Sequence, residues 1–349
     1  MRRLAKLVAT VNPSGSRGLP VCAAPVTLAL LTLMGALPAA AWPVLSGPYF
    51  GQKPPGLRAE MFAPGIVSSE HHDDGPPAFS PDGRECFWRV NGYHDGTSRT
   101  GKIFWSREQN GRWTEPRLAP FSSTYVEWGL CMQPDGRRLY FWSRRPRPGD
   151  RSESDGGPWF VDRTASGWSE PRPLSLPVDP RRLGFIFSPG AGGALYCVLE
   201  DPGKAAAGTA IFRMRRTGDG FASPEPMGVI PVGADQAGAP SFSPDGNTAV
   251  FTTDAKGGLE LAASFRKTDG TWTAPRPLGD DINAPPQTKF AGFSPDGRYL
   301  FVVSNRVSPS ANPPKLWKSD VFRGPQREPL CDVYWVDAKA LEALRPAQH

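Results

Sequence analysis

Three of the chain's four histidines, His71, His72 and His94, lie close together in sequence, with Asp73, Asp74 and Asp95 beside them. Imidazoles and a carboxylate are the donor set of Zn²⁺, Mn²⁺ and related ions, so a divalent metal is one chemistry open to this cluster. The spacing matches no helix-borne ligand motif, and a solvated polar loop is the competing reading. A second set is spread along the chain: Asp74, Glu127, Arg182, Asp235 with Gln236, and Thr288 with Lys289. Acids, bases and amides converging on one axis would hold a polar or sugar-like ligand by charge-assisted hydrogen bonds. Asp74 and Glu127 would also serve glycoside hydrolysis if held about 5–9 Å apart. The alternative is a salt-bridged channel lining. Trp128 breaks the spacing of the other tryptophans and offers a face for ligand stacking. No cofactor other than a metal is expected, because the sequence holds no nucleophile elbow, phosphate loop or dinucleotide fingerprint.

Convergence of such distant residues requires a repeating scaffold, and the sequence supplies one. Phe79-Ser80-Pro81-Asp82-Gly83 recurs as Met132-Gln133-Pro134-Asp135-Gly136, then as the degraded Phe187-Ser188-Pro189-Gly190. Phe242-Ser243-Pro244-Asp245-Gly246 and Phe293-Ser294-Pro295-Asp296-Gly297 follow, at steps of 53, 55, 55 and 51 residues. Proline presets the second position of a tight turn, aspartate tolerates the third, and glycine takes the left-handed conformation after it. An apolar strand follows each turn, such as Leu139-Tyr140-Phe141-Trp142 or Leu300-Phe301-Val302-Val303. A third strand comes next, and then a segment opening on an aromatic and soon meeting proline, as in Trp113-Thr114-Glu115-Pro116. Proline cannot donate to a ladder, so this fourth strand belongs on a sheet edge. The tryptophans Trp113, Trp168 and Trp272 keep the repeat spacing and are read as packing between blades.

Four antiparallel strands per repeat describe a β-propeller blade, and the expected fold is an all-β propeller of five blades, with six as the alternative count. The last repeat lacks its fourth strand, whereas an orphan segment, Glu60-Met61-Phe62-Ala63-Pro64, precedes the first anchor. Pairing of the two would close the ring and leave no open sheet edge. The propeller is placed at 57–340, after a linker at 42–56 and before a tail at 341–349. Connections entering the first strand and joining the second to the third share one face, here termed the loop face. The Pro-Asp-Gly turns occupy the opposite one. The long connections 91–102, 144–158 and 304–330 are on the loop face, where function is expected.

The repeated Phe-Ser-Pro-Asp-Gly with its apolar strand resembles the TolB-type β-propeller repeat. Phe301-Val302-Val303-Ser304-Asn305-Arg306 and Asp332-Val333-Tyr334-Trp335-Val336-Asp337 are similar to strand endings of exported members of that group. The resemblance implies a module that binds a protein, cell-envelope or polar carbohydrate ligand on its loop face. A polysaccharide-active enzyme, either a glycosidase or a metal-assisted lyase, is the alternative.

Composition agrees with the fold and narrows the partners. Gly accounts for 38 and Pro for 40 of 349 residues, too many breakers for a helix bundle or a parallel α/β sheet. With 11 Trp, 19 Phe and 7 Tyr the chain has ample apolar surface for a core, which disfavours disorder. The basic excess, 40 Lys and Arg against 34 Asp and Glu, owes four residues to the acid-free stretch 1–41 (Arg2, Arg3, Lys6, Arg17). The remainder is close to neutral, so nucleic acid is not an expected partner. A monomer is expected. Cys86, Cys131, Cys197 and Cys331 form no CxxC pair and suit either disulfides or small buried hydrophobes.

That acid-free stretch continues into an apolar run, 26–37, followed by Ala39-Ala40-Ala41. This is the pattern of a signal peptide; the run falls short of the roughly 20 residues a span needs. Export to the periplasm or the medium, with no membrane span after cleavage, is the expectation. Mass spectrometry of the exported protein should find Trp42 as its first residue; an intact amino terminus would refute cleavage.

Overall fold

Every Pro-Asp-Gly anchor is a four-residue turn, closed by a 2.8 Å hydrogen bond from the glycine N–H to the carbonyl of Ser80, Gln133, Ser243 or Ser294. The glycines are left-handed, with φ of +65° at Gly83, +70° at Gly136, +71° at Gly246 and +72° at Gly297. The serine hydroxyl donates to the aspartate two residues on and accepts the N–H of the strand beyond, from Glu85 at 2.9 Å and from Tyr299 at 3.0 Å. The aspartate in turn accepts the N–H of the residue after glycine, as Asp82 does from Arg84 and Asp296 from Arg298. The serine, aspartate and glycine of the motif thus pair backbone groups that the tight turn would strand. The degraded third copy turns instead through a short 3₁₀ segment, Ala191–Gly193.

The computed structural model describes residues 42–69, 75–93, 99–150, 152, 154–179, 182–183, 188–199, 210–218, 220–227, 240–255, 258–306, 313–317 and 331–346. Their strands form five antiparallel blades. From the inner strand outward, blade 1 is Ala78–Phe79, Glu85–Tyr93, Arg99–Gln109 and Arg117–Leu118. Blade 2 is Glu127–Met132, Arg138–Ser143, Gly157–Thr164 and Arg172–Pro173, and blade 3 is Ser188–Pro189, Leu195–Leu199, Ala210–Met214 and Glu225–Pro226. Blade 4 is Ser241–Phe242, Thr248–Ala255, Gly258–Phe265 and Arg276–Pro277. Blade 5 takes Thr288–Phe293, Tyr299–Ser304 and Asp332–Asp337 from the end of the chain and Glu60–Met61 from its beginning. The closing register sets Glu60 opposite Trp335 and Met61 opposite Tyr334, the ring closure expected from the orphan segment.

Five hydrophobic clusters lie one at each junction between neighbouring blades. The repeat-spaced tryptophans belong to them. Trp168 of blade 2 meets Phe87 of blade 1 edge-on at 5.5 Å, and Trp272 of blade 4 meets Phe242 at 5.7 Å in the cluster shared with blade 3. The hydroxyl residue after the tryptophan holds the neighbouring strand: Thr114 accepts the N–H of Arg107 at 3.2 Å, Ser169 that of Asp162 at 3.0 Å, and Thr273 that of Phe265 at 3.0 Å.

Three features depart from the sequence reading. The edge strand is broken in two: Trp113 pairs with the tip of the third strand, and the edge resumes at Arg117–Leu118, because Pro116 between them has no N–H. Residues 42–56 are no linker. Tyr49 and Phe50 are buried at the junction of blades 5 and 1, and the Trp42 indole donates to the Trp113 carbonyl at 2.9 Å. Nor is the carboxyl end a free tail, since the 3₁₀ helix Ala338–Leu344 buries Leu341 against blades 4 and 5.

The closing junction is the most aromatic of the five. Phe62, fully buried, lies 5.0 Å from Trp335, 5.1 Å from Phe301 and 5.7 Å from Phe79, centroid to centroid. Phe62→Ala should therefore cost roughly 3–5 kcal/mol in urea unfolding. Leu57→Ala, at a residue 58% exposed, should stay within about 0.5 kcal/mol. Equal effects would mean that the closing strand does not hold the ring.

Candidate functional site

Contacts between turns establish the two faces. A Cβ on Gly136 would come within 2.5 Å of Pro81, and one on Gly297 within 3.1 Å of Pro244, so turns of successive blades abut on one side. Between the inner strands runs an axial cavity of about 80 Å³, to which all five blades contribute. Its lining is small or apolar, with Pro76, Ala78, Cys131, Ser188, Ser241 and Ala291 among it. The acids and bases expected along the axis do not line it in the described residues.

Glu127 opens the inner strand of blade 2 and is fully buried. Its carboxylate accepts from the Ser122 hydroxyl at 2.6 Å, from the Ser123 hydroxyl at 2.9 Å and N–H at 3.1 Å, and from the Arg145 guanidinium. Arg145 also donates to the Ser143 hydroxyl and the Phe121 carbonyl, both at 3.0 Å, and lies 5.2 Å from the rings of Phe141 and Trp159. The pair ties the connection from blade 1 to the body of blade 2. Burial pushes the Glu127 carboxyl above the ordinary glutamate range, and Ser122, Arg145 and Ser123 oppose that rise in part. A carboxylate so engaged acts as a strut between that connection and the blade.

Arg145, which the sequence places only within the long connection 144–158, is thus a brace of the blade. The signal was present: Ser143-Arg144-Arg145 stands in blade 2 where Ser304-Asn305-Arg306 stands in blade 5. Arg306 likewise bonds the Ser304 hydroxyl, reaches back to the Ile282 carbonyl at 2.7 Å and covers the Tyr334 ring at 4.1 Å. Opposite Ser304 the position of Glu127 is held by Thr288, whose hydroxyl donates to Ser304 at 3.2 Å. Burial lowers the Arg306 pKa.

Trp128 and Lys289 occupy corresponding places, each just before a bulge in its inner strand. Trp128 stacks on Trp142 at 6.0 Å and covers Gly156, so most of its ring serves the junction of blades 2 and 3. Lys289 is half-buried, its ammonium 5.1 Å from the Phe290 ring. Phe290 is left-handed at φ +50° where blade 2 has Gly129 at +64°, a conformation that costs a bulky side chain free energy and marks this rim as constrained. Arg182 is exposed, in a turn closed by its N–H to the Asp179 carbonyl. Near the loop-face end of the second strand of blade 1, Asn91 is fully buried with neither amide atom hydrogen-bonded. His71, His72, Asp74, His94, Asp235 and Gln236 lie outside the described residues.

Among the described residues no group of histidines, cysteines and carboxylates could hold a metal ion. Cys86, Cys131 and Cys197 form no disulfide; burial raises the thiols of Cys86 and Cys131 and pushes that of Cys197 up to about 12, so these behave as small hydrophobes, and Cys331 is likewise buried. Among the described residues no helix is long and apolar enough to cross a membrane.

Fold and rim together define a closed five-bladed β-propeller with its irregular connections gathered on one face. No protein-family model matches the chain, and no curated protein does. Similar solved structures include TolB from Acinetobacter baumannii, 14% identical over 66% of this chain and 48% of that one, with a TM-score of 0.41. The chain thus spans about half the length of that TolB. A gluconolactonase from Xanthomonas campestris is 16% identical over 77% of this chain and 83% of its own, with a TM-score of 0.43. An α-L-arabinofuranosidase from Lactobacillus brevis is 11% identical over 78% and 92%, with a TM-score of 0.40. Likeness at this level says nothing about chemistry, and the propeller assignment rests on the strand pairings themselves.

The raised Glu127 pKa has a sign. A carboxyl that holds its proton more tightly when folded contributes stability at low pH and loses it as pH climbs from the ordinary glutamate range through the raised value. Glu127→Gln should remove that part of the pH dependence. It also leaves Arg145 buried without its counter-ion, at a cost of about 3 kcal/mol. Urea midpoints of both proteins across that pH range test this; parallel curves would disprove it.

Proposed function

We propose that the chain is an exported, TolB-like propeller serving as a binding module, with its site for a protein, cell-envelope or polar carbohydrate ligand on the loop face. The observation that carries this reading is the asymmetry of the two faces. On the turn face near-identical four-residue turns join the first and second strands in four of the five blades, whereas the loop-face connections between second and third strands run from 256–257 to 144–156 and 305–331. A rigid ring that varies only one face is built to present that face.

Two details support it. Glu127, the one described member of the proposed carboxylate pair, is engaged in structure, which favours binding over acid–base hydrolysis. Asn91 leaves an amide unsatisfied at the loop-face end of blade 1, at a cost of about 1–3 kcal/mol that a polar ligand or water would relieve.

Export and periplasmic or extracellular residence belong to the same proposal and rest on the segment 1–41. The test is a panel of peptidoglycan fragments and polar glycans, with a pull-down from envelope extract, using the purified chain. Lys289→Ala and Asn91→Leu should abolish capture, whereas Asp245→Ala on the turn face should leave it intact. Asn91→Leu should not lower the melting temperature, since it removes unpaired polar atoms from the interior. Capture that survives both loop-face changes, or is lost with Asp245→Ala, would overturn the reading.

A further inference from the structure

Blades 2 and 5 carry one brace at their loop-face ends, and only one of the two is complete. Glu127 lies opposite Ser143 in blade 2, and Thr288 lies opposite Ser304 in blade 5. Arg145 and Arg306 each follow that serine by two positions. Both donate Nε to its hydroxyl, at 3.0 Å and 3.3 Å. Both donate Nη2 to the connection before the inner strand, to the Phe121 carbonyl at 3.0 Å and the Ile282 carbonyl at 2.7 Å. Each also lies against a ring of the third strand, Trp159 at 5.2 Å and Tyr334 at 4.1 Å.

The counter-ion is what blade 5 lacks. Arg145 has the Glu127 carboxylate, held in turn by Ser122 and Ser123. In blade 5 those three places belong to Thr288, Asn283 and Ala284. The Thr288 hydroxyl is committed to Ser304 and to the Ala284 N–H, and the Asn283 amide binds the Leu261 backbone through both its atoms at 2.9 Å. Among the described residues no carboxylate pairs with Arg306, and its Nη1 has no hydrogen-bond partner. Arg306 is half-buried, so its guanidinium has given up part of its hydration for a carbonyl, a hydroxyl and a ring. An anion reaching such a cation meets a stronger field than at a fully exposed side chain. The rim beside it is altered as well. Phe290, half-buried, holds its left-handed φ of +50° in the place of Gly129, with its N–H on the Thr252 hydroxyl of blade 4 at 3.3 Å. Strain of this kind persists where the surroundings over-determine it, and it gathers at binding sites.

We propose that Arg306 anchors a peptide ligand on the loop face through a carboxylate on a slim arm, a glutamate side chain, which supplies the acceptor that Glu127 supplies in blade 2. A half-sunken guanidinium selects for such an arm over a carboxylate fixed directly to a sugar ring. The anchor is part of the loop-face site proposed above and rests on that reading.

The test follows Arg306 itself, by the Nε–H resonances of the full chain carrying isotope-labelled arginine. Acetyl-Gly-Glu-Gly-amide at millimolar concentration should shift one resonance saturably, and Arg306→Gln should remove that resonance. The neutral counterpart, acetyl-Gly-Gln-Gly-amide, should bind about tenfold more weakly or worse. Thr288→Glu, which supplies the carboxylate from within the chain, should weaken the acidic peptide by a similar factor. No shift, or equal binding of the two peptides to the unaltered chain, would overturn the proposal without recourse to any variant. A saturable shift by trigalacturonate alone would overturn it too, since the anchor would then serve an acidic glycan. Capture from envelope extract separates this proposal from the wider reading, and should be lost in both Lys289→Ala and Arg306→Gln. Capture kept in both sinks the loop-face site, whereas loss in Lys289→Ala with retention in Arg306→Gln sinks the anchor alone.

Discussion

Closure of the ring depends on a very short contact. Glu60 and Met61 supply a two-residue ladder to Tyr334 and Trp335, and two residues of ladder are worth little on their own at about 1 kcal/mol per hydrogen bond. What holds the ladder in place is Phe62 behind it, in a cluster that also includes Phe79, Phe301 and Trp335, with Tyr49 and Phe50 packed from the other side. Without that packing, the last blade would present an unpaired edge and the first would lose a neighbour. The five-blade count and the separation of the two faces follow from this junction.

The two faces solve different problems. On the turn face one hydrogen-bond scheme repeats in four blades and leaves little freedom; the third blade alone turns differently, through Ala191–Gly193. On the loop face the connections differ in length, and ionisable side chains brace the blades. Arg145 and Arg306 each reach back to the carbonyl of the preceding connection, and Lys102 of blade 1 reaches forward to the carbonyls of Ser123 and Tyr125 in the following one, at 2.7 and 2.8 Å. Charged residues near a propeller axis thus need not face it, and here several of them hold the frame that carries the loops.

Much of the frame was legible from residue types. Ser-Pro-Asp-Gly states its own turn chemistry, and the unmatched Glu60-Met61 announced the closing strand. The straps at both ends were not legible. Tyr49 and Phe50 sit among prolines and glycines with no periodicity, and a segment without periodicity reads as a connector until its packing partners are known. The rim residues failed for another reason. Bulges at Gly129 and Phe290 break the alternation of inner-strand side chains, so register counted from the anchor no longer says which way Glu127 or Lys289 points. The contacts that fix Glu127 come from Ser122, Ser123 and Arg145, on two separate elements, and only the recurrence of Ser-x-Arg hinted at them.

Closure by strands from both ends also orders events in time. The Ser68 hydroxyl donates to the carbonyl of Val333, a residue 265 positions away, and accepts the N–H of Val333 in return. Blades 1 to 4 are each made of contiguous chain and can pair their strands as they leave the ribosome. Blade 5 must wait for Val333 to Val336, and until then Phe62 lacks Trp335, the ring it approaches at 5.0 Å. The slow step of assembly is therefore the last one, a long-range capture at high contact order, and a chain cut short before Trp335 would remain an open arc.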